Sequence, residues 1–257
     1  MIKPYYEEEN IIIYNDNCLD AIKELQDESI DLVVTDPPYN IGDTNKRTKV
    51  GNKIVPNMEA WGEWDNYDKK EYDEFIFKLI AEMYRVLKKG GSFYMFSARE
   101  DNGFFIREAV RVGFTYRNQL AIIKTNPLPH FVKNNYRSAF ELCFYVTKGK
   151  PKTFNFLSQQ DCINIYPYII GKKYTKHPTG KPLVFIEKIV KISSNENDTV
   201  LDPFIGSGTT AVACKNLNRK CIGVEINKKY CDMSIKRLEY GVLNFGYKWG
   251  LKWTKAI

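Results

Sequence analysis

Four consecutive residues, Asp36-Pro37-Pro38-Tyr39, combine groups suited to chemistry on a conjugated amine. Such a nitrogen is a poor nucleophile, because its lone pair is delocalised into the ring that carries it. The Asp36 carboxylate and the Pro37 carbonyl can each accept one N–H, which polarises the amine and aims its lone pair at an electrophile. The two prolines hold that carbonyl rigidly, so the turn acts by preorganisation rather than by proton abstraction. Tyr39 adds an aromatic face on which an extruded nucleobase can stack. Read as structure alone, the same residues are a proline-terminated strand followed by an ordinary turn.

A second constellation lies far along the chain. Val200 to Ala211 reads as a strand, a glycine turn and a helix start, with Gly206-Ser207-Gly208-Thr209-Thr210 at its centre. Glycines allow a sharp turn and close approach of a ligand, and the following helix start offers unpaired N–H groups. Glu225 ends the next strand, 19 residues after Gly206, where a carboxylate can accept hydrogen bonds from ribose hydroxyls. This is the pattern of a nucleoside crevice at the carboxyl ends of a sheet. Because Gly206-x-Gly208-x-x-Ala211 also satisfies the dinucleotide fingerprint, the loop alone leaves NAD and S-adenosylmethionine both open.

The elements that must position these residues alternate in type. Strands are expected at Ile11 to Tyr14, Ile30 to Thr35, Ser92 to Phe96, Leu120 to Ile123, Leu142 to Val146, Thr199 to Leu201 and Lys220 to Val224. Helices are expected at Leu19 to Leu25, Phe104 to Val112, Leu183 to Ile192, Thr209 to Leu217 and Lys228 to Tyr240. Tyr72, Phe75, Ile76, Leu79, Ile80, Met83, Val86 and Leu87 mark an amphipathic helix that Gly90-Gly91 would close. The stretch from Asn40 to Tyr67 lacks periodicity and exceeds ordinary connections, which predicts a functional loop. Gly149 to Lys176 is also weakly periodic. The alternation predicts a mostly parallel sheet with helices on both faces.

Composition sets the class. The chain has 257 residues, 44% apolar and 27% charged, enough for one large α/β domain. No apolar run approaches the roughly 20 residues needed to span a bilayer, and the acidic start is no signal peptide, so a soluble cytoplasmic protein without a membrane partner is expected. Six scattered cysteines with only two histidines form no C-x-x-C pair, so buried reduced thiols and no metal site are expected. The net charge of +7 is compatible with a polyanionic partner. From Leu142 to Ile186 there are seven lysines and one acid, Asp161, a local basic segment.

In this motif order the sequence resembles the beta group of DNA amino-methyltransferases, in which the catalytic tetrapeptide precedes the cofactor loop. The resemblance runs from about Ile11 to Leu238. It implies a circularly permuted, Rossmann-like S-adenosylmethionine-dependent methyltransferase fold, a single catalytic domain over 1–257. It also implies catalytic roles for Asp36, Pro37, Pro38 and Tyr39, and a cofactor loop of Asp202, Phe204, Gly206, Ser207, Gly208, Thr209 and Thr210. Glu225, beside Ile226, would hold the ribose, and Asp16 with Cys18 would lie beside the cofactor adenine. His177, Thr179 and Lys181 belong to a segment, His177-Pro178-Thr179-Gly180-Lys181-Pro182, similar to the family's stretch along the methionine portion; as structure alone it is a helix entry.

Lys124-Thr125-Asn126-Pro127-x-Pro129 with Tyr136, Arg137 and Glu141 is similar to the family's region beside the flipped base, although Glu141 and Arg137 also suit a structural pair. The segment 148–176, where this group places its target-recognition part, is short here. Its lysines can neutralise phosphates without reading bases, or form only a solvated loop. Recognition would then involve few bases, borrow the Asn40 to Tyr67 loop or require a second subunit. A homodimer and a restriction endonuclease or specificity partner are the expected partners besides DNA. The tail with Trp249, Lys252, Trp253 and Lys255 reads as packing. The family's tendency to place Asp first for adenine-N6 and Ser for cytosine-N4 implies adenine in DNA as the substrate. Cytosine-N4 transfer, a silent DNA-binding subunit and a nucleotide-dependent oxidoreductase are the alternatives.

Overall fold

Apolar strands in parallel register build the scaffold. The computed structural model describes residues 2–40, 48–50, 53–55, 68–127, 129, 133–169 and 180–239. A nine-stranded sheet is assembled from β1 (Tyr6–Glu8), β2 (Ile11–Tyr14), β3 (Ile30–Thr35), β6 (Leu87–Ser97), β7 (Thr115–Lys124), β8 (Phe140–Thr147), β9 (Ile165–Tyr168), β10 (Thr199–Asp202) and β11 (Lys220–Val224), in the order β1-β2-β11-β10-β3-β6-β8-β7-β9. The central run β2-β11-β10-β3-β6 is parallel throughout. Beyond it β8 turns antiparallel to both β6 and β7, while β9 joins β7 in parallel. A separate antiparallel pair, β4 (Thr48–Val50) and β5 (Lys53–Val55), falls inside the stretch expected to be a loop. The rest of 41–67 lies outside the described residues.

Parallel strands need crossovers, and helices supply them on both faces. Side chains that alternate along β6 show the two layers. Phe93 and Met95 join a core with α1 (Cys18–Lys23), α2 (Lys69–Val86) and α3 (Arg99–Val112). Tyr94 and Phe96 join a second core with α4 (Leu183–Ser193), α5 (Thr209–Asn216) and α6 (Lys228–Glu239). Tyr72, Ile76, Leu79, Ile80, Met83 and Val86 are the buried face of α2, at the spacing the sequence predicted. No helix among the described residues is long and apolar enough to cross a membrane.

The structure differs from the sequence reading at several boundaries. Gly90-Gly91 does not close α2. That helix ends at Val86, and Leu87 already pairs with Ile30, the next pair on β3 and β6 being Leu32 with Ser92. The glycine at 91 serves this irregular stretch: a Cβ there would lie 2.9 Å from the Lys88 carbonyl oxygen and 3.1 Å from that of Asp31. The helix α3 begins at Arg99 rather than Phe104, because its first turn is polar and shows no apolar period. Strands β1 and β9 escaped the sequence reading. The first is charged, and the second carries Pro167 at the sheet edge, where a missing N–H is tolerated.

Gly91→Ala should therefore destabilise the fold. Overpacking against two backbone oxygens costs about 1–3 kcal/mol, read as a lower Tm and a lower urea midpoint with an unchanged m-value. An unchanged Tm would show that the two strands separate at this point without cost.

Candidate active site

Strands β3 and β10 are neighbours, with Leu32 opposite Val200 and Val33 opposite Leu201. They run in the same direction, so the Asp36 turn and the glycine loop leave the sheet at the same end. From there the chain departs in opposite senses, toward β6 after β3 and toward β11 after β10. Such a divergence leaves a crevice at the carboxyl ends. It is occupied by a cavity of about 410 Å³ lined by Asp36, Pro37, Pro38 and Tyr39 on one side and by Asp202, Phe204, Gly206, Ser207, Thr209, Thr210, Glu225 and Ile226 on the other. Asp16 and Cys18 complete the wall.

The glycine loop is held by its own hydrogen bonds. The Asp202 carboxylate accepts from the Phe204 N–H at 3.1 Å and from the Thr210 hydroxyl at 2.6 Å, fixing the turn to the helix it starts. Gly208 has φ +82°, and a Cβ there would lie 2.9 Å from Cβ of Ser234; left-handed backbone and close approach both demand glycine. It does not line the cavity but lets α5 start against α6, where Ser234 donates to the Gly206 carbonyl at 2.7 Å. Glu225 accepts from the N–H groups of Gly206 at 3.1 Å and Asn227 at 2.8 Å. A carboxylate offers about four acceptor positions, so acceptor capacity remains for a ribose diol. Asn15, unremarked in the sequence, donates to the carbonyls of Glu225 and Ile226 at 2.8 and 3.0 Å.

The opposite wall is built from charge. Asp36 accepts from the Tyr39 hydroxyl at 2.7 Å through one oxygen, and its other oxygen lies 2.5 Å from Nζ of Lys181. The same ammonium is 3.2 Å from Glu141, which pairs with Lys124 at 2.5 Å. Lys181, part of the segment expected along the cofactor, lines the shared cavity and has its ammonium on the tetrapeptide. Burial raises the Asp36 carboxyl, with Lys181 pulling the other way. Burial also works to raise Glu141, but the two lysines outweigh it and hold that carboxyl at about 2. Arg137 donates to the Pro127 carbonyl, and Tyr136 projects into solvent.

Sequence reasoning also missed Tyr72. Its ring is fully buried in the α2 stripe, yet its hydroxyl donates to the Pro38 carbonyl at 2.7 Å. The signal was a single hydroxyl within an otherwise apolar face. Phe75 reaches the cavity from the same helix, edge-on to Phe204 with centroids 6.1 Å apart. His177 and Thr179 lie outside the described residues, as do 170–176 of the basic segment and the tail from 240.

Comparison with known proteins follows the same lines. Residues 30–236 match the N6/N4 family described as DNA methylase. Type II methyltransferase M2.MboI of Moraxella bovis is 32% identical over 252 residues, covering 92% of this chain and 91% of the relative. Type II methyltransferase M2.LlaDCHI of Lactococcus lactis subsp. cremoris is 29% identical over 255 residues, 94% of each. The crystal structure of the M1.HpyAVI–SAM complex superposes with a TM-score of 0.66 at 28% identity, covering 89% of this chain and 99% of that one. The PvuII cytosine-N4-specific DNA methyltransferase gives 0.74 at 20% identity, covering 91% and 88%, a likeness of fold.

One consequence concerns pH. Burial raises the Asp202 carboxyl to about 7, against the donors Thr210 and Phe204. The folded pKa lies above the unfolded value of about 3.9, so the stabilising contribution is full below about pH 4 and is lost as pH rises to about 7. Asp202→Asn removes that loss. Its unfolding free energy relative to the parent should improve by on the order of 2 kcal/mol between pH 5 and pH 8, measured by urea denaturation at both values. A constant difference would mean that Asp202 titrates normally.

Proposed function

The chain belongs to the N6/N4 DNA methylase family, and on that premise we propose that it methylates the exocyclic N6 amine of adenine in DNA. Its activity is that of a DNA methyltransferase of the restriction-modification kind, with S-adenosylmethionine as methyl donor. Family membership sets aside the oxidoreductase alternative. The observation that carries the proposal is one cavity lined both by the Asp36 turn and by the glycine loop with Glu225.

The donor side suits a cationic nucleoside. Glu225 would hold the ribose through its remaining acceptor positions, and Asp16 and Cys18 would flank the adenine, with Ile226 and Phe204 as apolar walls. Asp202, Ser207, Thr209 and Thr210 would surround the amino-acid portion, and Gly206 and Gly208 would shape the loop beneath it. The chemistry S-adenosylmethionine would supply here is an electrophilic sulfonium methyl for the amine nitrogen, which would give up one proton as the sulfonium became a thioether.

On the substrate side Asp36 and the Pro37 carbonyl would accept the two N–H groups of an extruded base, while the Tyr39 ring stacks on it. The Tyr72 hydroxyl positions the turn by holding the Pro38 carbonyl. Both adenine and cytosine present an amine conjugated to a ring, so these acceptors serve either, and a cytosine-N4-specific protein shares the fold. Asp36 at the first position supports adenine through the tendency of the family. A second copy of the chain, or a specificity partner accompanying a restriction endonuclease, would supply recognition surface that the short 148–176 segment lacks.

Digestion of methylated DNA should yield N6-methyladenine; N4-methylcytosine alone would transfer the assignment to cytosine, and cofactor binding without transfer to any DNA would make the chain a silent subunit. Asp36→Ala should lower kcat by about 100-fold or more while calorimetric affinity for S-adenosylmethionine stays near the parent's. A variant that remains active would remove Asp36 from the reaction. Tyr72→Phe should cost about 1 kcal/mol of transition-state positioning, seen as a roughly fivefold lower kcat at unchanged KM for the cofactor.

A further inference from the structure

Lys181 stands where an ammonium is costly. Its side chain is 9% exposed, and it lies directly before Pro182, the N-cap of α4, at the end of the helix that disfavours cations. Two carboxylates compensate, Asp36 at 2.5 Å and Glu141 at 3.2 Å. Lys124 at the end of β7 continues the alternation by pairing with Glu141. The ammonium also lies 4.8 Å from the ring centroid of Phe96 and 5.3 Å from that of Tyr39.

The groups around Asp36 make this cation consequential. Glu141 on β8 places like charge near it, and Asp202 at the end of β10 lies close enough to feel the Asp36 charge. Cys143 of β8 is a buried thiol at the same point. Burial and the Glu141 charge are opposed chiefly by Lys181 and then by the Tyr39 hydroxyl. Without the ammonium, Asp36 would take up a proton more readily. A carboxylic acid accepts less well and presents an O–H toward the amine, where an N–H must be received.

We propose that Lys181 is a positioning residue that keeps Asp36 an oriented carboxylate, with Glu141 and Lys124 holding the ammonium in place. This rests on the reading of Asp36 as acceptor of the substrate amine. It predicts opposite effects of removing the two charges that flank Asp36: loss of Lys181 favours protonation of Asp36, whereas Glu141→Gln, whose amide oxygen can still accept from the ammonium, removes a like charge and opposes it.

The test uses the full chain labelled with carboxyl-13C aspartate, with the Asp36 resonance identified by its absence in Asp36→Asn. In Lys181→Met the Asp36 titration should move up by about one pH unit or more, in Glu141→Gln it should move down, and Lys181→Arg should stay near the parent. The acidic limb of the kcat profile should follow these shifts, while KM for S-adenosylmethionine changes little. An Asp36 titration that does not rise in Lys181→Met overturns the proposal. If that variant does not fold, an unchanged or raised titration in Glu141→Gln overturns it instead. A purely structural lysine would lower Tm without moving the two titrations in opposite directions. Titrations that shift as expected in a parent that transfers no methyl group would uphold Lys181 as the keeper of Asp36 and defeat the transferase role given to Asp36.

Discussion

The parallel pairing of β3 with β10 is the constraint on which the rest of the molecule depends. Leu32, Val33, Val200 and Leu201 have no exposed surface, and their backbone ladder fixes which two turns meet at the carboxyl edge of the sheet. A shift of one residue would exchange the faces of these side chains between the two cores. Both helical layers would then lose their fit, so the register is enforced from above and below. The geometry of the cavity follows from that enforcement and not from the turns themselves.

Each turn adds stiffness where it leaves the sheet. Asp36-Pro37-Pro38-Tyr39 is closed by Tyr39 on Asp36 and braced by Tyr72 on Pro38. The glycine loop is closed by Asp202 and braced by Glu225 and Ser234. Preorganised acceptors gain most in a water-poor site, where charge interactions are strong and reorientation costs are already met by folding. The two sides also differ in charge. Among the cavity walls carboxylates outnumber cations, and Lys124, Lys181 and Arg99 all stand on the side of the Asp36 turn. The glycine-loop side is thus the more acidic of the two, while the basic excess of the whole chain favours approach to a polyanion.

Much of this was legible in the sequence because it is local. Strands of β-branched residues bounded by Pro or Gly, the 3.6-residue stripe of α2 and the two turns all declare themselves through neighbouring residues. Boundaries failed where local signals were silent: the polar first turn of α3, the charged β1 and the edge strand β9 with Pro167 carry no apolar period. Gly90-Gly91 misled because a glycine pair after a helix usually caps it, whereas here it permits a close backbone approach within β6.

The sequence by itself determined the fold class, the family and the chemistry of the two turns, since residue type and short spacing decide what a turn can donate or accept. Only the tertiary structure decided the partners. Lys181 reads along the chain as part of a cofactor segment, yet it is bound to Asp36 across 145 residues, and Tyr72 reads as core while it holds Pro38. Those pairings depend on which strand lies beside which, and on the desolvation that makes each buried charge seek its opposite. Neither is written in any local stretch of residues.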